Sequence, residues 1–439
     1  MGITRSILAV VWIACLATAA PPEVRFLKFA EAQEALTALG RTDDAGQWDA
    51  WIRAQDREVR ARIDRGVEDS IGNLILRGTS FTALPPVESA EAATTDTGEL
   101  VEAARARVLA FVAALAHPGS NERLQFAQDY LARRGIEQQR IEAFLAANLT
   151  RFSLEQRGYR EKLKSAHQAS DPNEELFVWS TLFDQRGLSV DTSLLPNYAL
   201  EDTLRAMMRK GALAPGRIHN IAVIGPGLDF ADKRDGYDFY PLQTIQPFAV
   251  MEAVARLDLG KLDGLRLVTL DLNPAVNAHV ERAARKGRAG EPYVVELPLS
   301  GTGDWTPQAT GYWDHFGDLI GSPTRSLPAP KGVRARAVAV RPRLAAAIEP
   351  LDLDIVAQVA DNAGFDLVVA TNILVYYDRL QQVLAMNAIA RMMSPGGVFL
   401  SNTVLPAQRP AALEYLGRRH VSYSASSSYG DDVVVYRRR

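Results

Sequence analysis

The sequence predicts an α/β protein: helices cover both faces of a parallel sheet, an antiparallel hairpin closes that sheet, and a mainly helical region precedes it. Three observations predict this. From about Ile218 short β-rich runs alternate with helical ones, the signature of βαβ units. Those runs are continuously apolar, as strands buried on both faces are. The last two, His420–Ser426 and Asp432–Arg438, flank a Ser/Gly turn at Ser427–Asp431 and so double back on each other.

Residues 24–210 are rich in Ala, Leu, Glu, Gln and Arg and read as mostly helical. Glu99–Ala116 places Leu100, Ala104, Val108, Phe111, Val112 and Leu115 at helical spacing, and His117-Pro118-Gly119-Ser120 stops it. Glu122–Arg134 and Glu137–Leu149 are two further helices joined by Gly135, whereas Ser89–Gly98 and Ser170–Asn173 read as loops. In the second half Ile218–Gly225, Leu265–Leu272, Phe365–Asn372 and Gly397–Thr403 read as strands. Thr244–Leu257, Pro274–Gly287 and Arg379–Met393 read as the helices between them.

At 439 residues the chain exceeds one average domain. We divide it into an N-terminal segment 1–20, a helical region 21–210 and an α/β region 211–439. A hydrophobic content of 47% with 23% charged residues excludes a disordered or polytopic membrane protein. A net charge of −3 offers no basic surface for nucleic acid. One cysteine excludes a disulfide framework and a Cys-rich zinc site. Residues 1–20 follow the three-part order of a secretory signal: Arg5, an apolar run Ile7–Leu16, then Ala17-Thr18-Ala19 before Pro21-Pro22. That segment therefore predicts export, or a membrane anchor confined to the N-terminus. An apolar first helix packed on the body is the structural alternative.

The chemistry concentrates where the first β-rich run ends, at Val223-Ile224-Gly225-Pro226-Gly227-Leu228-Asp229. Glycines let a backbone turn tightly and approach a ligand, and in open α/β sheets ligands lie beyond the carboxyl ends of the strands. A dinucleotide fingerprint needs a Gly or Ala at 230 opening a helix at once. Residue 230 is Phe and a polar loop comes next, so a ligand without a diphosphate fits better. Asp271, at the end of the second strand, can accept hydrogen bonds from ribose hydroxyls, with Leu272 beside it. Asn273 caps the next helix ahead of Pro274. In Leu351-Asp352-Leu353-Asp354, Asp352 is a candidate for an adenine amino group and Leu353 for the ring face, while Asp354 could cap the next helix.

Phe365-Asp366-Leu367-Val368-Val369-Ala370-Thr371-Asn372-Ile373-Leu374-Val375-Tyr376-Tyr377-Asp378, continuing to Ser394-Pro395-Gly396-Gly397, resembles the segment of CheR-type methyltransferases that reads FD, an apolar run, R-N-x-L-x-Y-F-D and later PGG. Gln246-Pro247-Phe248-Ala249-Val250 resembles that family's E-P-Y-S-I/L, and Ala337–Leu353 resembles its stretch from basic residues to the adenine-side strand. The likeness covers roughly 215–439. It implies a Rossmann-like class I methyltransferase fold, whose sheet ends in such a hairpin, with S-adenosyl-L-methionine as cofactor. The departures are Gln246 for Glu, Thr371 for the Arg before Asn372, and an inserted loop Asp229–Tyr240. The family's chemoreceptor substrate is not carried over.

Methyl transfer needs an electrophile from the cofactor and positioning from the protein. The cofactor-side candidates are Gly225, Pro226, Gly227, Asp229, Asp271, Leu272, Asp352, Leu353 and Asn372. The loop Asp229–Tyr240 reads as a lid, alternatively as a solvated turn. Tyr237, Tyr240 and Gln243 on or beside it, and Tyr376 beyond the fourth strand, are the catalytic or acceptor-side candidates, with one of Tyr376 and Tyr377 expected in the core. The six histidines form no metal constellation, and His315 reads as part of a packing helix. The resulting expectation is a methyltransferase acting on a small-molecule or protein acceptor, with a carboxylate or other oxygen as the group methylated. A non-catalytic binding protein on the same scaffold is the alternative. A nucleotide-dependent oxidoreductase is disfavoured by Phe230 and the closing hairpin.

Overall fold

A computed structural model describes residues 22–41, 45–94, 98–167, 178, 182–184, 186–231, 236–300, 304–406 and 409–439. The signal-like segment 1–20, the loop at 170–173 and residues 232–235 of the inserted loop lie outside the described residues. Among the described residues no helix is long and apolar enough to cross a membrane.

The helical region opens with a short strand β1 (Val24–Phe26). It continues with α1 (Phe29–Ala38), α2 (Trp48–Arg77), α3 (Glu102–Leu115), α4 (Glu122–Arg133), α5 (Ile141–His167) and α6 (Leu195–Arg209). The helices foreseen after residue 99 are present, with the third running on to His167 rather than stopping at Leu149. Asn121 caps α4 by accepting from the backbone N–H groups of Arg123 and Leu124.

The α/β region contributes β2 (Asn220–Ile224), α7 (Gln246–Arg256), β3 (Arg266–Asp271), α8 (Pro274–Arg288), β4 (Tyr293–Ser300), α9 (Pro307–His315), β5 (Gly321–Thr324) and β6 (Val333–Val340). It continues with α10 (Pro342–Ala346), β7 (Ile348–Asp352), β8 (Gln358–Ala360), β9 (Phe365–Ala370), α11 (Arg379–Met392), β10 (Met393–Ser401), β11 (Leu413–Ser422) and β12 (Gly430–Arg438). Seven strands form one sheet in the order β11-β12-β10-β9-β2-β3-β7. The pairings from β10 to β7 are all parallel, and β12 runs antiparallel between β10 and β11. The chain thus starts at the centre on β2, builds outward to β7, then crosses back to β9. That reversal between β2 and β9 is the place where such sheets bind ligands. The closing hairpin is present, and its first strand begins at Leu413, ahead of the expected His420.

Both faces of the sheet are packed. Ile221, Val223, Leu367 and Val369 face α7 through Phe248 and Met251. Ala222, Ile224, Val368 and Ala370 face α11 through Leu384 and Ile389. This double burial is why the strands read as uninterrupted apolar runs. Two features were not expected from the sequence. A separate antiparallel sheet, β4-β6-β5, is inserted between α8 and β7, and β1 pairs with β8 across more than 300 residues of chain. His315 closes α9 with an exposed ring, while its neighbours Trp313 and Phe316 are buried.

A third core fills the helical region around Leu74, Phe111, Leu145 and Phe152, and it takes in Leu228 and Phe230 from the loop after β2. Phe230 is fully buried and meets Phe126 edge-on at 5.0 Å. The helical region is further tied to the sheet through Gly187–Thr192. There α2 crosses backbone on backbone: a Cβ on Gly66 would lie 1.8 Å from the Leu188 carbonyl oxygen, and one on Gly187 would lie 2.3 Å from the Gly66 nitrogen. Neither partner is a side chain that can rotate away. Gly66→Ala is therefore expected to destabilise the protein by roughly 3 kcal/mol, the upper range of overpacking costs. Denaturant unfolding checks this, and a variant as stable as the parent would show that the crossing yields.

Candidate functional site

The cleft sits at the carboxyl ends of β2, β3 and β9, at the point where the strand order reverses. β2 delivers Gly225 and Gly227 with φ of 63° and 61°, the left-handed region that favours glycine. A Cβ on Gly225 would press on Ile373 at 3.1 Å. The turn is therefore bare backbone facing a narrow cleft, with Leu272, Leu353, Ile355, Ile373 and Tyr377 forming its apolar lining.

Asp271 ends β3 in the same cleft. Its Oδ1 accepts from the Asn273 N–H at 2.8 Å, and the backbone N–H groups of Gly227 and Leu272 also act on the carboxylate. Burial nevertheless pushes its carboxyl up to about 7. Asn273 caps α8 as expected, accepting from the Ala275 N–H at 2.9 Å.

The structure brings together Gly225, Gly227, Asp271, Leu272, Leu353 and Asn372 as lining of one cleft. Asn372 takes a left-handed φ of 58°, and its side chain and backbone exchange hydrogen bonds of 2.8 and 2.7 Å with Asn402 after β10. Asp352 stands apart. It pairs in register with Asp271, but its side chain is 55% exposed and bound to Arg60 of α2 at 2.8 Å. Asp354 turns inward instead. Its Oδ1 accepts from the Val356 N–H at 2.9 Å, and burial pushes its carboxyl up to about 7.

The acceptor-side candidates are built into packing. Tyr240 donates to Asp229 Oδ2 at 2.9 Å, and Gln243 donates to the same oxygen at 2.9 Å. Arg123 from α4, itself 1% exposed, donates to the carbonyls of Asp229 at 2.8 Å, Asp238 at 3.2 Å, Phe230 and Tyr240. Asp238 accepts from the backbone and hydroxyls of Thr79 and Ser80 at 2.7–2.9 Å. The described parts of the expected lid, with buried Tyr237, are thus fastened to the helical region. Of the tyrosine pair, both are buried. Tyr376 offers its carbonyl to Arg62 at 2.6 Å and its ring to Phe183, whereas Tyr377 lines the cleft. Burial, reinforced by the nearby Asp354 carboxylate, pushes the Tyr377 phenol well up.

Sequence reasoning missed the wall opposite the sheet. Ile63 of α2 and Leu188–Thr192 close the cleft from the helical region. The Leu228 N–H donates to Val190 O at 2.6 Å and the Thr192 N–H to Leu228 O at 2.9 Å, a parallel bridge beside the glycine turn. A Cβ on Gly227 would lie 2.9 Å from Val190 O, so this glycine makes room for protein as well as for ligand. No local pattern marks 188–192; a partner search from Gly227 would have needed the fold.

No family model matches the chain, and no curated protein matches it significantly. Among solved structures it is similar to the N-methyltransferase NodS from Bradyrhizobium japonicum in complex with S-adenosyl-L-homocysteine: 14% identity over 63% of this chain and 98% of that one, TM-score 0.27. It is similar to magnesium protoporphyrin IX methyltransferase from Synechocystis with bound S-adenosylmethionine, with 8% identity, 55% and 79% covered, and a TM-score of 0.25. It is also similar to the [4+2]-cyclase SpnF, with 10% identity, 55% and 80% covered, and a TM-score of 0.28.

Asp271 sets a pH dependence of stability. Its folded-state carboxyl titrates near 7 against an ordinary 3.8. Its stabilising contribution is complete below the ordinary value and is lost as pH rises through about 7. Asn cannot titrate, so Asp271→Asn should gain on the parent by about 2–4 kcal/mol between about pH 4 and pH 8. Urea unfolding at the two ends reads this directly; parallel profiles would contradict it.

Proposed function

We propose that the chain is an S-adenosylmethionine-dependent methyltransferase with its cofactor in this cleft. One observation carries the reading. The left-handed glycines Gly225 and Gly227 and the Asp271 carboxylate share a cleft whose described lining contains no Lys, Arg or His. The next described helix along the chain, α7, begins only at Gln246, so the turn does not open directly into a helix as a dinucleotide fingerprint does. This lining suits a cationic nucleoside with a ribose diol better than a dinucleotide. The sheet order, with its antiparallel penultimate strand, supports the class I reading, and the T-N-x-L-x-Y-Y-D and S-P-G-G segments support the CheR-like one.

In this reading Asp271 accepts from the ribose hydroxyls. Leu272, Leu353, Ile355 and Ile373 flank the base and exclude water. Gly225 and Gly227 leave backbone space for the rest of the ligand. The cofactor, when bound, supplies an electrophilic methyl group. Thr371 and Asn372, at the carboxyl end of β9, mark the side from which a small-molecule or protein acceptor approaches. Residues 1–20 fit the same proposal as an uncleaved N-terminal anchor that leaves the body in the cytoplasm, where the cofactor is made.

Calorimetric titration with S-adenosylhomocysteine tests the reading. We expect micromolar or tighter binding and none for NAD. Asp271→Asn should weaken binding at least about tenfold, the loss of one charge-assisted hydrogen bond. Because the ionised carboxylate is the acceptor, affinity should fall up to about tenfold per pH unit below about 7 and level off above it. A folded protein that ignores S-adenosylhomocysteine would remove the methyltransferase reading.

A further inference from the structure

The helical region does more than cover the sheet, because it carries a carboxylate into the cleft. Asp191 lines the cleft beside the glycine turn, in the parallel bridge with Leu228. Its Oδ2 accepts from Asn73 Nδ2 of α2 at 3.0 Å and from the Ser189 hydroxyl at 3.2 Å. Asn73 is itself buried, and Ser70, one turn before it on α2, donates to the Gly66 carbonyl and accepts from the Val190 N–H at 3.3 Å. Two neutral donors on a rigid helix and its abutting segment thus fix the direction of this carboxylate. Gly227 touches both walls of the cleft: its N–H acts on Asp271, and a Cβ on it would lie 2.9 Å from Val190 O and 3.2 Å from the Thr192 side chain.

We propose that Asp191 recognises the α-ammonium of the cofactor's amino-acid tail, so that the helical region completes the cofactor site. The inference rests on the cofactor reading above. If Asp271 takes the ribose and the apolar lining takes the base, the polar wall left for the tail is Ser189–Thr192. A carboxylate there matches an ammonium by charge and by hydrogen-bond sense. The Thr192 hydroxyl is the neutral donor this wall offers to the tail's own carboxylate, because the Ser189 hydroxyl already donates to Asp191.

The test compares two ligands on the full chain. S-adenosylhomocysteine carries the amino-acid tail; 5′-methylthioadenosine shares the nucleoside and the sulfur but lacks that tail. For Asp191→Asn we expect S-adenosylhomocysteine to bind ten- to a hundredfold more weakly, with methylthioadenosine changed less than threefold. Asp271→Asn should weaken both. Thermal melting of each variant confirms that it is folded, and Asp191→Ser serves as the second variant if Asn fails that check. Unchanged S-adenosylhomocysteine binding by a folded variant overturns the assignment. Equal weakening of both ligands also overturns it, since the segment would then be only structural. If the parent binds neither ligand, the cofactor reading itself has failed.

Discussion

The structure depends on a slot that only backbone can occupy. Gly187–Thr192 threads between α2 and the turn after β2, where Gly66, Gly187 and Gly227 leave no space for a Cβ. At one end the Leu188 N–H donates to Arg62 O at 3.1 Å; at the other, Val190 and Thr192 bracket Leu228. Arg62 also reaches the Arg186 carbonyl at 2.8 Å and the Tyr376 carbonyl at 2.6 Å, so one side chain ties α2 to this segment and to the loop after β9. The glycine turn of the sheet and the wall that faces it are consequently one mechanical unit. A shift of α2 would move the cleft.

Buried charge fastens the same unit. Asp69, wholly buried on α2, accepts from Arg186 at 3.0 Å and Arg151 at 2.9 Å. Arg123 sits in a cage of carbonyls from the loop after β2, with its guanidinium 4.9 Å from the centre of the Tyr240 ring. Such groups stabilise little in net terms, because desolvation offsets most of the attraction. They are unforgiving instead: removing one partner leaves the other buried and unpaired, a loss of about 3–5 kcal/mol. One network holds Arg186, beside the Gly187–Thr192 segment, and the other holds the loop after β2.

Much of this was legible in the sequence wherever the signal is local. Doubly buried strands write continuous apolar runs, glycines mark the turn after β2, and Asn273-Pro274 announces α8. Asp271 and Leu353 follow from their places at strand ends. Where partners lie far along the chain the reading ran out. The Asp229–Tyr240 stretch looks like a lid because its acids and tyrosines are polar, yet Arg123, Thr79 and Ser80 hold its described residues Asp229 and Asp238 from more than 100 residues away. Asp352 looks like its neighbour Asp271 in register, but Arg60 holds it at the surface. The strand β1 is three residues long, too short to carry a period, and Ser189–Thr192 has no motif at all.

Two of the three departures from the resembled CheR-type segments meet in the structure. Gln246, where the resembled motif has Glu, donates to the Thr371 hydroxyl at 2.6 Å, and Thr371 stands where that motif has Arg. This neutral hydrogen-bonded pair joins the start of α7 to the residue after β9 without burying ions. The pair borders the site, because Thr371 lines the cleft next to Asn372. With no cation there, the charged side chains of the lining are the carboxylates Asp191 and Asp271. The two carboxylates belong to the wall from the helical region and to the end of β3, while Thr371 and Asn372 set a neutral hydroxyl and amide at the end of β9, so charge and neutral polarity occupy different sides of one cleft.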